Sequence, residues 1–367
     1  MIKKYPFYLK STVILFGLIL FVYIIFILKS ILVPLSFAIL LAVLLNPLVN
    51  AFQKWHVPKV AAIIIAILLA IILITGVVYF ISMELSSFSD KLPLLKKKFG
   101  DLLIRGQQQI SRQFNIPLVK QQQYIAEAQS GIKPFIASTV GTVMGTLGII
   151  FLLPVYTFLL LYYKILILNF LYESFAETNS KEVSTVLKQT KGAIQSYMFG
   201  LLLEALIVAS LNSAALLILG VDYAILLGLL GAILNILPFI GGIIAILLPL
   251  IIATITKDGF NIQIGIIVSY LVIQFIDNHF LVPYIVSSKV KINALISIVI
   301  VLSGNALWGV PGMFLSIPFI GILKIIFDRL PELKPWGKLL GDEIPVRHKG
   351  QIWNVNRKRA KPPAENP

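Results

Sequence analysis

Two stretches of this chain, 221–256 and 292–327, are too apolar for loops and too long for single membrane crossings; each covers 36 residues. Both are interrupted by residues that break helices. The first carries Asn235-Ile236-Leu237-Pro238-Phe239-Ile240-Gly241-Gly242 and the second Gly304-Asn305-Ala306-Leu307-Trp308-Gly309-Val310-Pro311-Gly312. A helix crosses the hydrocarbon in about 20 residues. Each stretch is therefore expected to fold back as a helical hairpin or to break into two helices. Transporters use such segments to expose backbone polar groups at membrane depth.

Composition supports the same solvent. The chain is 58% hydrophobic and only 13% charged, with a mean hydropathy of +0.93. The expected fold class is an all-α integral membrane protein with about eight apolar segments, at roughly 11–28, 31–52, 60–83, 137–163, 195–219, 221–256, 261–283 and 292–327. The net charge of +15 would point to nucleic acid in a soluble protein. Here the basic residues flank apolar runs, so orientation and attraction to anionic lipids are the simpler reading, and no nucleic-acid partner is expected. The chain has no cysteine, and His56, His279 and His348 are scattered. No metal site and no cofactor are expected. The N-terminal run after Lys3, Lys4 and Lys10 resembles a signal peptide, but no small-residue cleavage site follows, and it is expected to remain as the first transmembrane helix.

The organisation divides into four parts. Residues 1–83 are expected to be N-terminal transmembrane helices, and 84–136 an amphipathic insert outside the bilayer core. Residues 137–328 are expected to form a transport core with a cytoplasmic helix at 164–194, and 329–367 a basic, partly disordered cytoplasmic tail. In the insert, Leu95, Phe99, Leu102, Leu103, Ile110 and Phe114 recur at helical spacing, and Asn115-Ile116-Pro117 breaks the pattern, which predicts two amphipathic helices. In 164–194, Asn179 and Glu182 suggest a capping box that would start a surface helix. The tail from Arg329 carries nine Lys/Arg against four acids. Basic residues at both ends predict that both termini are cytoplasmic. That needs an even number of crossings, which two hairpins preserve. It places 84–136 outside and 164–194 inside. The word Pro238-Phe239-Ile240-Gly241 recurs as Pro318-Phe319-Ile320-Gly321, which raises the possibility of an internal repeat.

Ionisable groups inside apolar runs are costly and therefore informative. Glu204 sits within Leu201-Leu202-Leu203-Glu204-Ala205-Leu206-Ile207. It could exchange a proton, or pair with another group at a helix or subunit interface. Gln274, Asp277, Asn278 and His279 are the densest polar group in any span. Gln274 and Asp277, three apart, share a helix face. Pro283 follows and is expected to stop the helix, which would leave these groups at a solvated helix end. Asn235 can satisfy backbone groups freed by the break at Pro238. Pro238, Gly241 and Gly242 set backbone shape, and any solute contact there would be through main chain. Asp222 reads as a helix N-cap. Trp308 reads as an interfacial anchor or a stacking surface, and Tyr156, Tyr162 and Tyr163 as an interface belt. No catalytic arrangement stands out. There is no Walker A loop, no GxSxG elbow, and no motif tying Glu204 to Asp277.

The order of Gly200, Leu234 to Gly241, then Gln274-Phe275-Ile276-Asp277-Asn278 with Pro283 after it, then Gly304, Gly309, Gly312 and Pro318, resembles the autoinducer-2 exporter (AI-2E) family of membrane transporters. The resemblance covers nearly the full chain. It implies an inner-membrane permease that exports a small polar signalling metabolite or another small solute, and some relatives are described as cation/proton antiporters. The chain departs from the family's pattern at Asp277, where glutamate is commoner, at Gly242, where proline is expected, and at Glu204, where an apolar residue is expected.

The leading expectation is a secondary transporter or facilitator, not an enzyme, that exports a small polar organic solute such as autoinducer-2. Asn235, Gln274 and Asp277 would hydrogen-bond the solute, and Asn278, Glu204 and the hairpin break would line or gate the site. One alternative is a sodium (cation)/proton antiporter using Glu204 and Asp277. Another is a non-transporting membrane scaffold with 84–136 and 164–194 as partner surfaces. Anionic lipids and further copies of the chain are the expected partners.

Overall fold

The computed structural model describes residues 6–237, 241–257, 259–286 and 292–342. Among them every regular element is helical. Six helical stretches are long and apolar enough to cross a membrane, seven if the bent pair Phe151–Tyr162 and Lys164–Phe175 counts as one. The protein is an all-α, multi-pass membrane protein.

Helix α1 (Phe7–Ile27) is apolar on every side and exposed along its length. Helix α2 (Lys29–Lys54) keeps Pro34 and Pro47 within one continuous helix and buries Leu40, Ala42, Leu45 and Val49. Its partners are α3 (Lys59–Phe114) and the end of α4 (Leu118–Tyr162), through Ala62, Ile63, Ala66 and Leu161.

Helix α3 corrects the expectation of two separate amphipathic helices after the third span. It runs unbroken for 56 residues, about 84 Å at 1.5 Å per residue. The span continues into the insert straight through Ser89, Asp90 and Pro93, and Leu, Lys, Arg and Gln predominate over 94–112. The break comes at Asn115, which takes the left-handed conformation (φ 54°) that asparagine tolerates. Gln121, 8% exposed, clamps the turn by donating to the carbonyls of Gln107 (3.2 Å) and Ile116 (2.9 Å).

Helix α5 (Lys164–Ile218) follows a 63° bend after Tyr162 and is helical for 55 residues, but it is not straight: Lys164 and Gln195 both bond the same turn of α2, at Asn46 and Val43, whereas 31 residues of straight helix would part them by about 46 Å. The expected capping box falls on Asn179, whose side chain lies outside the described residues. Within this run Val183, Val186, Leu187, Thr190, Ile194 and Tyr197 recur at helical spacing and are at least half-buried.

Both interrupted stretches form pairs of packed helices. The first gives α6 (Ala224–Asn235) and α7 (Gly241–Thr256), with 12 and 16 residues, each too short to cross alone. Their outer ends are joined by Lys257 and Asp222 at 3.7 Å. Asp222 is thus an ion-pair partner and not the expected N-cap. That position belongs to Tyr223, held at φ 60° with its ring edge-on to Phe88 at 5.2 Å. The second stretch gives α9 (Ala294–Trp308) and α10 (Val310–Arg329), and the latter is long enough to span. They meet at Gly309, whose φ of 65° and ψ of −146° suit glycine alone. The repeated word occupies unlike places. Gly241 opens α7 at the break, whereas Pro318 to Gly321 lie in the interior of α10, so the word does not mark equivalent positions.

Between the hairpins runs α8 (Asn261–Ile276), which passes into a π-helical segment, Asp277–Val286, and not into a helix end. Pro283 lies inside this wider helix. A short helix, α11 (Lys334–Leu340), closes the described chain. The tail beyond Asp342, with His348, lies outside the described residues.

Candidate functional site

Asp277 sits where α8 changes from α to π geometry, a change that turns up often at functional sites. It is 2% exposed. Its Oδ2 accepts from Asn235 Nδ2 at 2.8 Å and from Gln274 Nε2 at 3.4 Å. Asn235 is the last residue of α6, so the break in the first hairpin brings its amide to the carboxylate. The same break places Gly242 at the other end. A Cβ there would overlap Gln274 Oε1 and stand 3.5 Å from Asn235 Oδ1. Gly242 thus touches both amides that hold Asp277.

Glu204 reaches the same place from α5. It is 6% exposed, and its carboxyl lies beside that of Asp277. No sequence motif ties the two acids, and it is the packing of α5 against α8 that brings them together. The two carboxyls are close enough to share a proton in a hydrogen bond, and Asp277 Oδ1 meets no N–H or hydroxyl donor among the described residues. Two adjacent carboxylates repel, so a proton or a cation between them relieves the site. Removal from water makes that relief larger.

The facing of α5 and α8 continues beyond the acids. Eight residues after Glu204, Asn212 lies next to Gly231, and seven residues before Asp277, Tyr270 lies next to the same glycine. A Cβ on Gly231 would meet Asn212 Nδ2 at 3.2 Å and Tyr270 OH at 3.6 Å. Eight and seven residues are about 12 and 10.5 Å of helix, so the two polar levels match. Asn212 Oδ1 and Tyr270 OH are buried without hydrogen-bond partners. Neither was anticipated. The available signal was Asn212, set with Ser210 and Ser213 in an apolar run and eight residues after Glu204.

The structure therefore gathers Glu204, Asn235, Gly242, Gln274 and Asp277, and adds Asn212 and Tyr270. Gly241 contributes only shape, packed on the Leu234 carbonyl. Asn278 is not part of the group: it is exposed, as is His279, whose ring stacks on Phe275 at 4.3 Å. A step of one residue turns the side chain by about 100° on a helix, which separates Asn278 from Asp277. The buried setting of Asp277 also replaces the expected solvated helix end. Pro238 lies outside the described residues. Trp308 is neither a free anchor nor a stacking surface. Its Nε1 donates to the Ile25 carbonyl at 3.1 Å and its ring is edge-on to Phe319, tying α9 to α1 and α10. Among the described residues no three His, Cys, Asp or Glu side chains converge as metal ligands. An apolar cleft of about 610 Å³ lies elsewhere, between α7 and the turn joining α3 to α4, and holds none of the anticipated residues.

A buried carboxyl pair, two amides and a broken helix can hydrogen-bond a polar solute or coordinate a small cation. They offer no activated nucleophile. Comparisons with known proteins agree with transport. A protein of Haemophilus influenzae that carries only a provisional transport-protein name aligns at 25% identity over 325 residues, 85% of this chain and 90% of the relative. The AI-2 transport protein TqsA of Escherichia coli aligns at 23% identity over 85% of this chain and 90% of its own length. YrrI of Bacillus subtilis, also provisionally named as a transport protein, aligns at 23% over 82% of this chain and 86% of its own. The model of the AI-2E family transporter matches residues 15–332. The chain belongs to the AI-2E family of transporters.

Proposed function

We propose that this transporter exports a small polar organic solute of the autoinducer-2 class across a bacterial inner membrane, with both termini cytoplasmic. The observation that carries the proposal is Asp277, buried and held by Asn235 from the hairpin break and by Gln274. Donors and acceptors at a break between helices can exchange protein partners for a solute's hydroxyl groups at little cost. The name of TqsA makes autoinducer-2 the first substrate to test. The assay is efflux from proteoliposomes. Asn235→Ala and Asp277→Asn are each expected to lower the rate by about tenfold at unchanged expression, the size of one lost charge-assisted hydrogen bond. Wild-type rates in both variants would remove the proposal.

A second reading, cation/proton antiport, draws support from Glu204 lying beside Asp277. Two carboxyls can hold either a proton or a cation, which is the exchange an antiporter needs. It predicts sodium-, lithium- or potassium-dependent pH changes in vesicles that vanish in Glu204→Gln. Vesicles that show no response to any of these gradients would eliminate it. A homo-oligomer belongs with either reading, since α1 is apolar and its span is not buried within one chain.

A further inference from the structure

Away from the carboxyl pair, three lysines from distant parts of the sequence meet at one end of the helix bundle. Lys59 opens α3, and its Nζ donates to the Tyr162 carbonyl at 2.7 Å while lying 5.2 Å above the Tyr162 ring. Lys164 opens α5, and its Nζ donates to Asn46 Oδ1 at 2.9 Å. Lys191 stands one turn before Gln195, whose amide donates to the Val43 carbonyl of α2 at 2.9 Å. Asn46 is nearly one turn after Val43. This register brings Lys191 to the level of Asn46 and Lys164, and the charges of Lys191 and Lys59 both act on Lys164.

Among the described residues, the ammonium groups of Lys59 and Lys164 are bound to neutral acceptors, and Lys191 is exposed. The ion pairs among the described residues, Lys257 with Asp222 and Lys324 with Asp328, lie elsewhere. Three like charges held together repel unless an anion joins them. A lysine has three N–H donors, so the observed bonds leave donors over. Asn46 adds another: it is 5% exposed, and its buried Nδ2 has no hydrogen-bond partner.

The surroundings identify the kind of anion. Trp55, Tyr162 and Tyr163 are exposed at the same turns, in the arrangement of an interfacial aromatic belt. Exposed apolar side chains continue from there towards the bilayer, Val60 and Ile64 on α3 and Val155 and Leu159 on α4. A soluble phosphate would use the lysines and leave those surfaces bare. A phospholipid would use both.

We propose that Lys59, Lys164, Lys191 and Asn46 form a binding site for the phosphodiester headgroup of an anionic membrane lipid, with its acyl chains along α3 and α4. The site joins the α2–α3 turn to the α4–α5 bend, so an occupied site fixes the angle between them.

Native mass spectrometry of the full chain in mild detergent tests this. The protein is titrated with phosphatidylglycerol, with phosphatidylethanolamine of the same chains, and with inorganic phosphate as competitor. Retention of phosphatidylglycerol is expected to exceed that of phosphatidylethanolamine. A surface lysine contributes about fivefold to anionic lipid binding, so K59Q/K164Q/K191Q is expected to lose on the order of 100-fold. K191Q alone, at an exposed position, is expected to lose about fivefold, and it serves if the triple variant does not fold. K96Q/K97Q/K98Q removes the same charge from α3 elsewhere and is expected to retain the lipid. Equal binding of the two lipids, unchanged retention in K191Q, equal loss in the control triple, or displacement of the lipid by millimolar phosphate would each overturn the assignment.

Discussion

Gly241 and Gly242 are neighbours in sequence, yet a methyl group added at each meets different atoms. At Gly241 it would overlap the backbone carbonyl of Leu234, which cannot move without shifting α6. At Gly242 it would overlap the amide end of Gln274, which is flexible. Gly241→Ala is therefore expected to cost about 1–3 kcal/mol of stability, read as a lower melting temperature in detergent. Gly242→Ala is expected to stay within about 1 kcal/mol of the parent, yet to slow transport because it displaces a ligand of Asp277. A Gly242→Ala protein with parental flux would show that the position of Gln274 is irrelevant to transport. At this scale the sequence is partly readable. Glu204, Asn235, Gln274 and Asp277 stand out because polar groups are rare in apolar runs. Asn278 stands out equally and is turned away, because its orientation depends on helix phase at the point where α8 becomes a π-helix. The contact between Glu204 and Asp277 is set by how α5 packs on α8, which has no local signature.

The elements show a similar division. The two hairpins are legible because glycine and proline interrupt apolar runs too long to be single spans. The continuity of α3 and α5 is not, since polar composition says where water begins but not where a helix ends. Asn115 is readable as a stop, because Pro117 follows it and asparagine tolerates the left-handed conformation it takes. Within the second hairpin, Gly304 and Gly312 pack against each other's carbonyls, and Ser316 Oγ donates to the Gly312 carbonyl and to that of Ile300 at 3.0 Å. Close approach of this kind is what small residues permit between membrane helices. Gly304→Val is expected to force α9 from α10 and to cost roughly 1–3 kcal/mol, with a matching fall in melting temperature. Gly17→Val, in open space on α1, is the control and is expected to leave it within about 0.5 kcal/mol of the parent. Equal melting temperatures for both variants would mean the two helices are not held by this contact.

At the scale of the molecule, the arrangement of hairpins follows from the direction of each crossing. If the N-terminus is cytoplasmic, α1 leads out, α2 returns, α3 leads out into the long insert, α4 returns and α5 leads out again. The first hairpin then enters from outside, α8 returns, and the second hairpin enters from inside. The lysines at 59, 164 and 191 then share the cytoplasmic side with the tail, as the distribution of positive charge requires. The insert at 84–136 is itself basic, and long loops obey that rule poorly, so charge alone leaves its side to experiment. The absence of cysteine makes the experiment direct, because each introduced thiol is the only one in the chain. Gln109, exposed near the end of α3, and Lys188, exposed on α5, lie on opposite sides in this topology. A membrane-impermeant maleimide is expected to label Gln109→Cys in intact cells, and to label Lys188→Cys only after permeabilisation. The reverse pattern would invert the whole molecule, moving the three lysines to the outer leaflet. Labelling of both in intact cells would mean that α4 does not cross, and the first hairpin would then enter from inside and the second from outside.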